Sequence, residues 1–292
     1  MPKKLIAVSA ILLIFCILTF PSAIMAAFDC DRGRRAQQEG MHTTAIKEYE
    51  RALERFPESA IIIARLSISY FHNEEIDKCK ELLERIAGRR LPGKLADQVN
   101  SIVQRMDATY YESSELVEAL RLYGQEELEK TASRLESYLD KNKNDVMAIF
   151  HLANINFDMG KYGKAETLYK RALGLQPEFY SANLNLAAVY RMTGNYERAA
   201  ECCNKVLSAN KEHPQAFMAL SRLELQRGDL KAGLEYSKMA YDFDNTDMQA
   251  AANLCIAYHY NSMYAERDKL YQALRQNDYH DLEALRSVIG KQ

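Results

Sequence analysis

Apolar and polar positions recur with a helical period along most of this chain, and the helical pattern itself repeats every 34 residues. Setting VMAIFHLANINFDMGKYGKAETLYKRALGLQPEF (146–179) above YSANLNLAAVYRMTGNYERAAECCNKVLSANKEH (180–213) pairs Leu152 with Leu186, Ala153 with Ala187, Gly160 with Gly194, Tyr162 with Tyr196 and Ala165 with Ala199 without a gap. The frame continues through 214–247, with Leu220, Gly228 and Ala240, and through 248–281, with Leu254, Tyr258, Tyr264 and Tyr271. Extended backwards it takes in 112–145, where Leu128, Leu135 and Tyr138 hold the apolar places. A second block fills 26–93: Gly33, Gly40, Ala45, Tyr49, Ala52 and Pro57 form one unit, and Leu66, Tyr70, Cys79, Leu83 and Ala87 a weaker one.

Each unit reads as two amphipathic helices whose apolar faces a single pair cannot bury, so neighbouring units must stack to complete a core. Small side chains belong where helix axes approach: Ala153 and Ala165 are expected to meet within a unit, and Ala172 to face Ala187 of the next. A bulky residue at any of them should cost about 1–3 kcal/mol by overpacking. Gly160 supplies an open turn between the helices and Pro177 stops the second one. Two segments fall outside the frame. Residues 94–111 predict a lone helix with Leu95, Val99, Ile102, Val103 and Met106 on one side. Residues 282–292 predict a short capping helix with Leu282, Leu285 and Val288 on one face.

This spacing resembles the tetratricopeptide repeat, a 34-residue helix-turn-helix unit with small residues at the places held here by Ala153, Ala165 and Ala172, aromatic residues at Tyr162 and Tyr169, and a closing Pro177. The resemblance implies an all-α fold, a right-handed superhelical solenoid of antiparallel helix pairs. It covers seven units and departs from the family pattern in having no tryptophan.

The first residues change the picture of where such an array works. Lys3 and Lys4 precede an apolar run from Leu5 to Phe20, followed by Pro21, Ser22 and the small residues Ala23, Ala26 and Ala27. This order fits a cleaved secretory signal. An uncleaved anchor fits as well, because Leu5 to Phe28 is long enough to cross a bilayer. Both readings place the rest of the chain outside the cytoplasm: periplasmic, secreted or anchored. The expected organisation is therefore a signal or anchor at 1–26, two repeat units at 27–93, a helix outside the frame at 94–111, five units at 112–281 and a cap at 282–292.

Charge excludes one class of partner. The chain carries 38 basic and 40 acidic residues, a net charge of −2, which gives no global electrostatic case for nucleic acid. Catalytic motifs are absent from the sequence: no HExxH, no CxxC pair, no glycine-rich phosphate loop and no G-x-S-x-G. Beyond the leader, Cys30, Cys79, Cys202, Cys203 and Cys255 are odd in number and irregularly spaced, which argues against a disulfide framework. Cys79, Cys203 and Cys255 take core places, leaving Cys202 as the one candidate reactive thiol. The histidines (His42, His72, His151, His213, His259 and His280) form no i, i+4 pair, so no metal site and no cofactor is expected.

The function left is binding. In tetratricopeptide arrays the first helices of successive units line a groove that receives a peptide, and place by place this assigns Phe150, His151, Asn154, Phe157, Asn185, Arg191, Met192, Met218, Arg222, Asn253, His259 and Tyr260. Apolar anchors mixed with amide and guanidinium donors suit a peptide held by its backbone and seated by its side chains. The family's two-asparagine carboxylate clamp matches at Asn154 and Asn185, but Phe150, Gln215 and Ala219 stand where its basic groups belong. The expected function is thus a non-enzymatic scaffold or adaptor with a protein or peptide partner, touching membrane only through its N-terminal segment. The alternative is a regulatory subunit of an envelope enzyme or glycosyltransferase whose catalytic part is encoded elsewhere.

Overall fold

The computed structural model describes residues 21–109, 116, 120 and 128–290, and these contain fifteen helices and no strand. The chain divides into two compact units, residues 1–105 and 106–292.

In the first unit, α1 (Pro21–Gln38), α2 (His42–Arg55), α3 (Ala60–His72) and α4 (Ile76–Arg85) pack each on the next, and α5 (Gly93–Thr109) follows. Ala45, Tyr49, Ala52, Ile63, Ala64 and Cys79 are buried completely. A Cβ added at Gly33 would fall 2.8 Å from the Tyr49 ring, so the tyrosine fits only because that place is glycine. Buried Asp29 accepts from both Arg32 and Arg55, tying α1 to α2. Helix α1, described from Pro21 onward, lies partly in the segment read as leader and buries Ala26. The remainder of that leader, 1–20, lies outside the described residues. Among the described residues, no helix is long and apolar enough to cross a membrane.

The second unit holds α6 (Leu128–Lys141), then the pairs α7 (Val146–Asp158) and α8 (Tyr162–Leu175), α9 (Tyr180–Met192) and α10 (Tyr196–Ala209), α11 (Pro214–Arg227) and α12 (Leu230–Phe243), α13 (Met248–Tyr260) and α14 (Tyr264–Gln276), and finally α15 (Leu282–Ile289). The first helix expected within 112–145 lies, apart from Leu116 and Leu120, outside the described residues; Leu116 is buried in the same core as Leu135 and Leu139. Each helix from α6 to α14 packs on the next, and the first helices α7, α9, α11 and α13 also touch in succession. Successive second helices do not approach so closely, so the row bends towards its first-helix side. Ala153, Ala165, Ala172 and Ala187 all lie in one continuous core with Tyr169, Phe179 and Leu186, where the stacking rule needs small side chains. At the Ala165 place the third pair has Gly233, and an added Cβ there would meet Leu225 Cγ at 2.6 Å. Helix α15 covers α13 with Leu285 and Ile289, which join Ala251, Ala252, Cys255, Leu274 and Tyr279. Val288, expected on that face, is exposed instead, because the buried stripe runs on to Ile289.

The turn inside each pair is built the same way. Gly40, Gly160, Gly194 and Gly228 have φ between 70° and 92°, and the residue after each donates its backbone N–H to a carbonyl five residues back, as in Lys161 to Asn156 at 2.8 Å. This is the closure of a helix by a left-handed residue. Glu74 and Ser262 hold the same place in their pairs, both at φ 58° and with the same bond, from Glu75 to Tyr70 and from Met263 to Tyr258. A side chain in that conformation costs about 1–2 kcal/mol that glycine avoids. Ser262→Gly should therefore raise stability by about 1 kcal/mol in urea unfolding, the larger entropy of an unfolded glycine removing part of the gain.

Candidate peptide-binding groove

The first-helix side of the second unit is organised by a register of 31 residues. Asn185 Nδ2 donates to Asn154 Oδ1 at 2.9 Å, and Arg222 Nε donates to Asn253 Oδ1 at 3.1 Å, each bond joining one first helix to the next. Between these two rungs Ala188 and Ala219 stand at the corresponding places. Residues 31 apart therefore sit side by side across this face.

Asn154, Phe157, Asp158, Tyr169, Asn185 and Ala188 line a cleft of about 270 Å³ between α7 and α9. Asn154 Oδ1 accepts both from Asn185 and from Tyr169 Oη, the latter at 2.6 Å. The tyrosine is fully buried, so its hydroxyl fixes the amide from below. Neither Asn154 Nδ2 nor Asn185 Oδ1 has a partner among the described residues, and both amides remain half-buried. The cleft thus offers one N–H₂ donor and one carbonyl acceptor, the complement of a peptide bond. Phe157, partly buried against Tyr162 at a centroid distance of 5.5 Å, forms its apolar wall.

Further along, Arg191 Nη1 donates to Gln226 Oε1 at 2.7 Å. Burial, and then the Arg191 charge, lower the Arg222 pKa from its ordinary value, and burial lowers that of Arg191. Arg222 is nonetheless exposed to solvent.

Not all the residues expected in the groove reach it. Met218 is buried with Phe217, Ala240 and Ala250, because the second helix α12 covers it. Asn253 is also buried, its amide held by Arg222 and by Ser237 Oγ at 3.0 Å. Phe150 packs inward on Phe179 at 4.7 Å, with His151 edge-on beside it. His259 and Tyr260 form a separate group at the end of α13, where Arg267 Nη1 lies 3.2 Å from His259 Nδ1 and its guanidinium covers the Tyr264 ring. Met192 is exposed beside Arg191. The groove residues brought together are therefore Asn154, Phe157 and Asn185 in the cleft, and Arg191, Met192 and Arg222 beyond it. Asp158 and Gln226 were legible from the frame, since both share the place of Met192; Ala188 shares that of Asn154.

No described thiol is poised for chemistry at neutral pH. All five described cysteines are free, and Cys202, expected to be the less buried of its pair, is buried with its pKa pushed up to about 11 by desolvation. Burial pushes Cys79, Cys203 and Cys255 up to about 12, and raises Cys30 as well.

Comparison with known proteins agrees with the repeat architecture. Two sequence profiles, each described as tetratricopeptide repeat, match residues 116–178 and 156–223. Human protein O-mannosyl-transferase TMTC3 is 27% identical over 138 residues, 47% of this chain. The chain spans only 14% of that relative's length. Among solved structures, a thermophilic TPR protein from Thermus thermophilus superposes with a TM-score of 0.53 at 18% identity, covering 60% of this chain and 95% of that one. A tetratricopeptide repeat protein from Parabacteroides merdae gives 0.51 at 14% identity, covering 91% of this chain and 85% of the other. The chain thus carries tetratricopeptide repeats, folded as an all-helical solenoid of the kind those proteins share.

Proposed function

We propose that this protein is a non-enzymatic interaction scaffold that works outside the cytoplasm and holds a peptide segment of a partner protein along its first-helix face. The observation that carries the proposal is the cleft at Asn154 and Asn185, where one amide keeps a free donor and its neighbour a free acceptor. Both groups are open to water without a partner bound, and a peptide backbone can satisfy them with a matched pair of bonds. Asn185→Ala combined with Arg222→Ala should weaken co-purification of the crosslinked partner from cells at least tenfold while leaving helicity and melting temperature within a few degrees of the parent. Unchanged capture would remove the groove from the account. The exported location rests on the basic, apolar and small-residue order of the first residues, and cell fractionation tests it.

A second reading draws on the stretch shared with the O-mannosyl-transferase: the array serves as the recruiting arm beside a glycosyltransferase encoded elsewhere. Recovery of such an enzyme in the same crosslinked fraction favours it, and its absence from that fraction disfavours it.

A further inference from the structure

We infer that Arg191 and Arg222 form a carboxylate-binding subsite, and that the partner segment carries an aspartate or glutamate side chain there. The inference rests on the groove reading above and adds the chemistry of its occupant.

The distribution of charge comes first. Helices α9, α11 and α13 contain a single acidic residue, Glu224, which pairs with Arg227 at 3.3 Å. Their basic residues are Arg191, Arg222 and Arg227. The second helices α8, α10, α12 and α14 are mixed, with seven acidic residues and ten basic ones, so what sets the groove apart is local to its arginines. Around Arg191 and Arg222 the first-helix face is therefore locally cationic, since Glu224 is paired with Arg227 and Asp158 lies back on α7 at the amide cleft.

The two arginines, Arg191 half-buried and Arg222 exposed, are open to a ligand. Neither has a carboxylate partner among the described residues: Arg191 is held by the neutral Gln226 and Arg222 by the neutral Asn253. They stand 31 residues apart, the register that both inter-helix hydrogen bonds show to be side by side. Each neutral anchor occupies one guanidinium nitrogen, Nη1 of Arg191 and Nε of Arg222, and leaves the others to a ligand. Like charges placed together and partly desolvated are relieved most by an anion between them, and the planar fork of a guanidinium matches a carboxylate with two parallel bonds. Ala188 and Ala219, the two small residues on the rung between the amide cleft and Arg222, leave room for an extended chain to pass. The occupant is therefore a peptide whose backbone meets Asn154 and Asn185 and whose acidic side chain lies further towards α11.

The test is selection of random dodecapeptides displayed on phage, fused at their C-termini so that no terminal carboxylate competes, against the immobilised full chain. Recovered sequences should be enriched in Asp and Glu at least threefold over the input library, and Arg191→Gln with Arg222→Gln should abolish that enrichment while keeping the apolar consensus. A representative acidic peptide should bind at least tenfold more tightly than its Asn/Gln counterpart by fluorescence anisotropy, and the gain should shrink as salt rises. Binders with an apolar consensus but no acidic enrichment, or enrichment that survives in the double variant, would overturn the carboxylate subsite and leave the groove reading standing. Selection that returns no peptide competing at the groove would overturn both.

Discussion

Tyr169→Ala should destabilise the second unit by about 4 kcal/mol, the range found when a buried aromatic ring is cut back to a methyl group. The ring is fully buried and packs with Phe150, Ala153, Ala165 and Ala172 in the continuous core, so its loss leaves a cavity bounded by helices of two successive pairs. Its hydroxyl adds a second consequence, because it donates to Asn154 at 2.6 Å. Tyr169→Phe keeps the ring and removes only that bond, so it should cost about 1 kcal/mol. Urea unfolding of the two variants separates packing from hydrogen bonding. The phenylalanine variant should also lose partner affinity, since only Asn185 then holds the Asn154 amide with its Nδ2 turned to the cleft. Equal stability losses in the two variants would contradict this division.

The second large effect is a pH dependence centred on His213. This residue precedes Pro214 at the start of α11, is buried completely, and has neither ring nitrogen hydrogen-bonded among the described residues. Desolvation alone lowers its pKa from 6.5 to about 4. As pH falls through 6.5 the unfolded chain takes up a proton that the folded chain refuses until about 4. The unfolded state therefore binds more protons across this window, and stability must fall with pH, by about 3 kcal/mol in total. Above pH 6.5 both states hold a neutral ring and the effect vanishes. The preceding repeat supplies the control: Phe179 occupies the equivalent place, also buried, at the start of α9. His213→Phe should remove the loss of stability between pH 6.5 and 4 and leave the acid response of the carboxylates below it. A slope unchanged by the substitution would place the responsible group elsewhere.

These effects bear on how much of the protein was legible in its sequence. The frame of 34 residues located the helix pairs because their contacts are local and repeated: Ala165 and Ala199 are small for the same reason, and Gly160 and Gly194 are left-handed for the same reason. It passed over Ser262 and Glu74, whose backbones adopt the same left-handed turn without glycine, since conformation imposed by neighbours leaves no mark on residue type. The groove was legible as a set of places on first helices and not as a set of available atoms. Whether an amide there is free depends on what the second helix brings beneath it. Tyr169 braces Asn154 and leaves its donor exposed, whereas Ser237 takes the donor of Asn253 and α12 closes over Met218. His259 and Tyr260 went to the end of the last pair, where Arg267 replaces the small residue found at Ala165, Ala199 and Gly233 and meets the His259 ring, with Tyr260 edge-on beside it.

The central claim is that a partner lies along the first helices of the second unit. Its most direct measurement is site-specific photocrosslinking in cells, with benzoylphenylalanine placed at Ala188 in the cleft and at Met192 beside Arg191, and for comparison at Glu201 and Glu235, exposed on second helices. A common partner should crosslink from Ala188 and Met192 and not from Glu201 or Glu235. A partner captured from Glu201 or Glu235 and not from the first-helix positions would contradict the account.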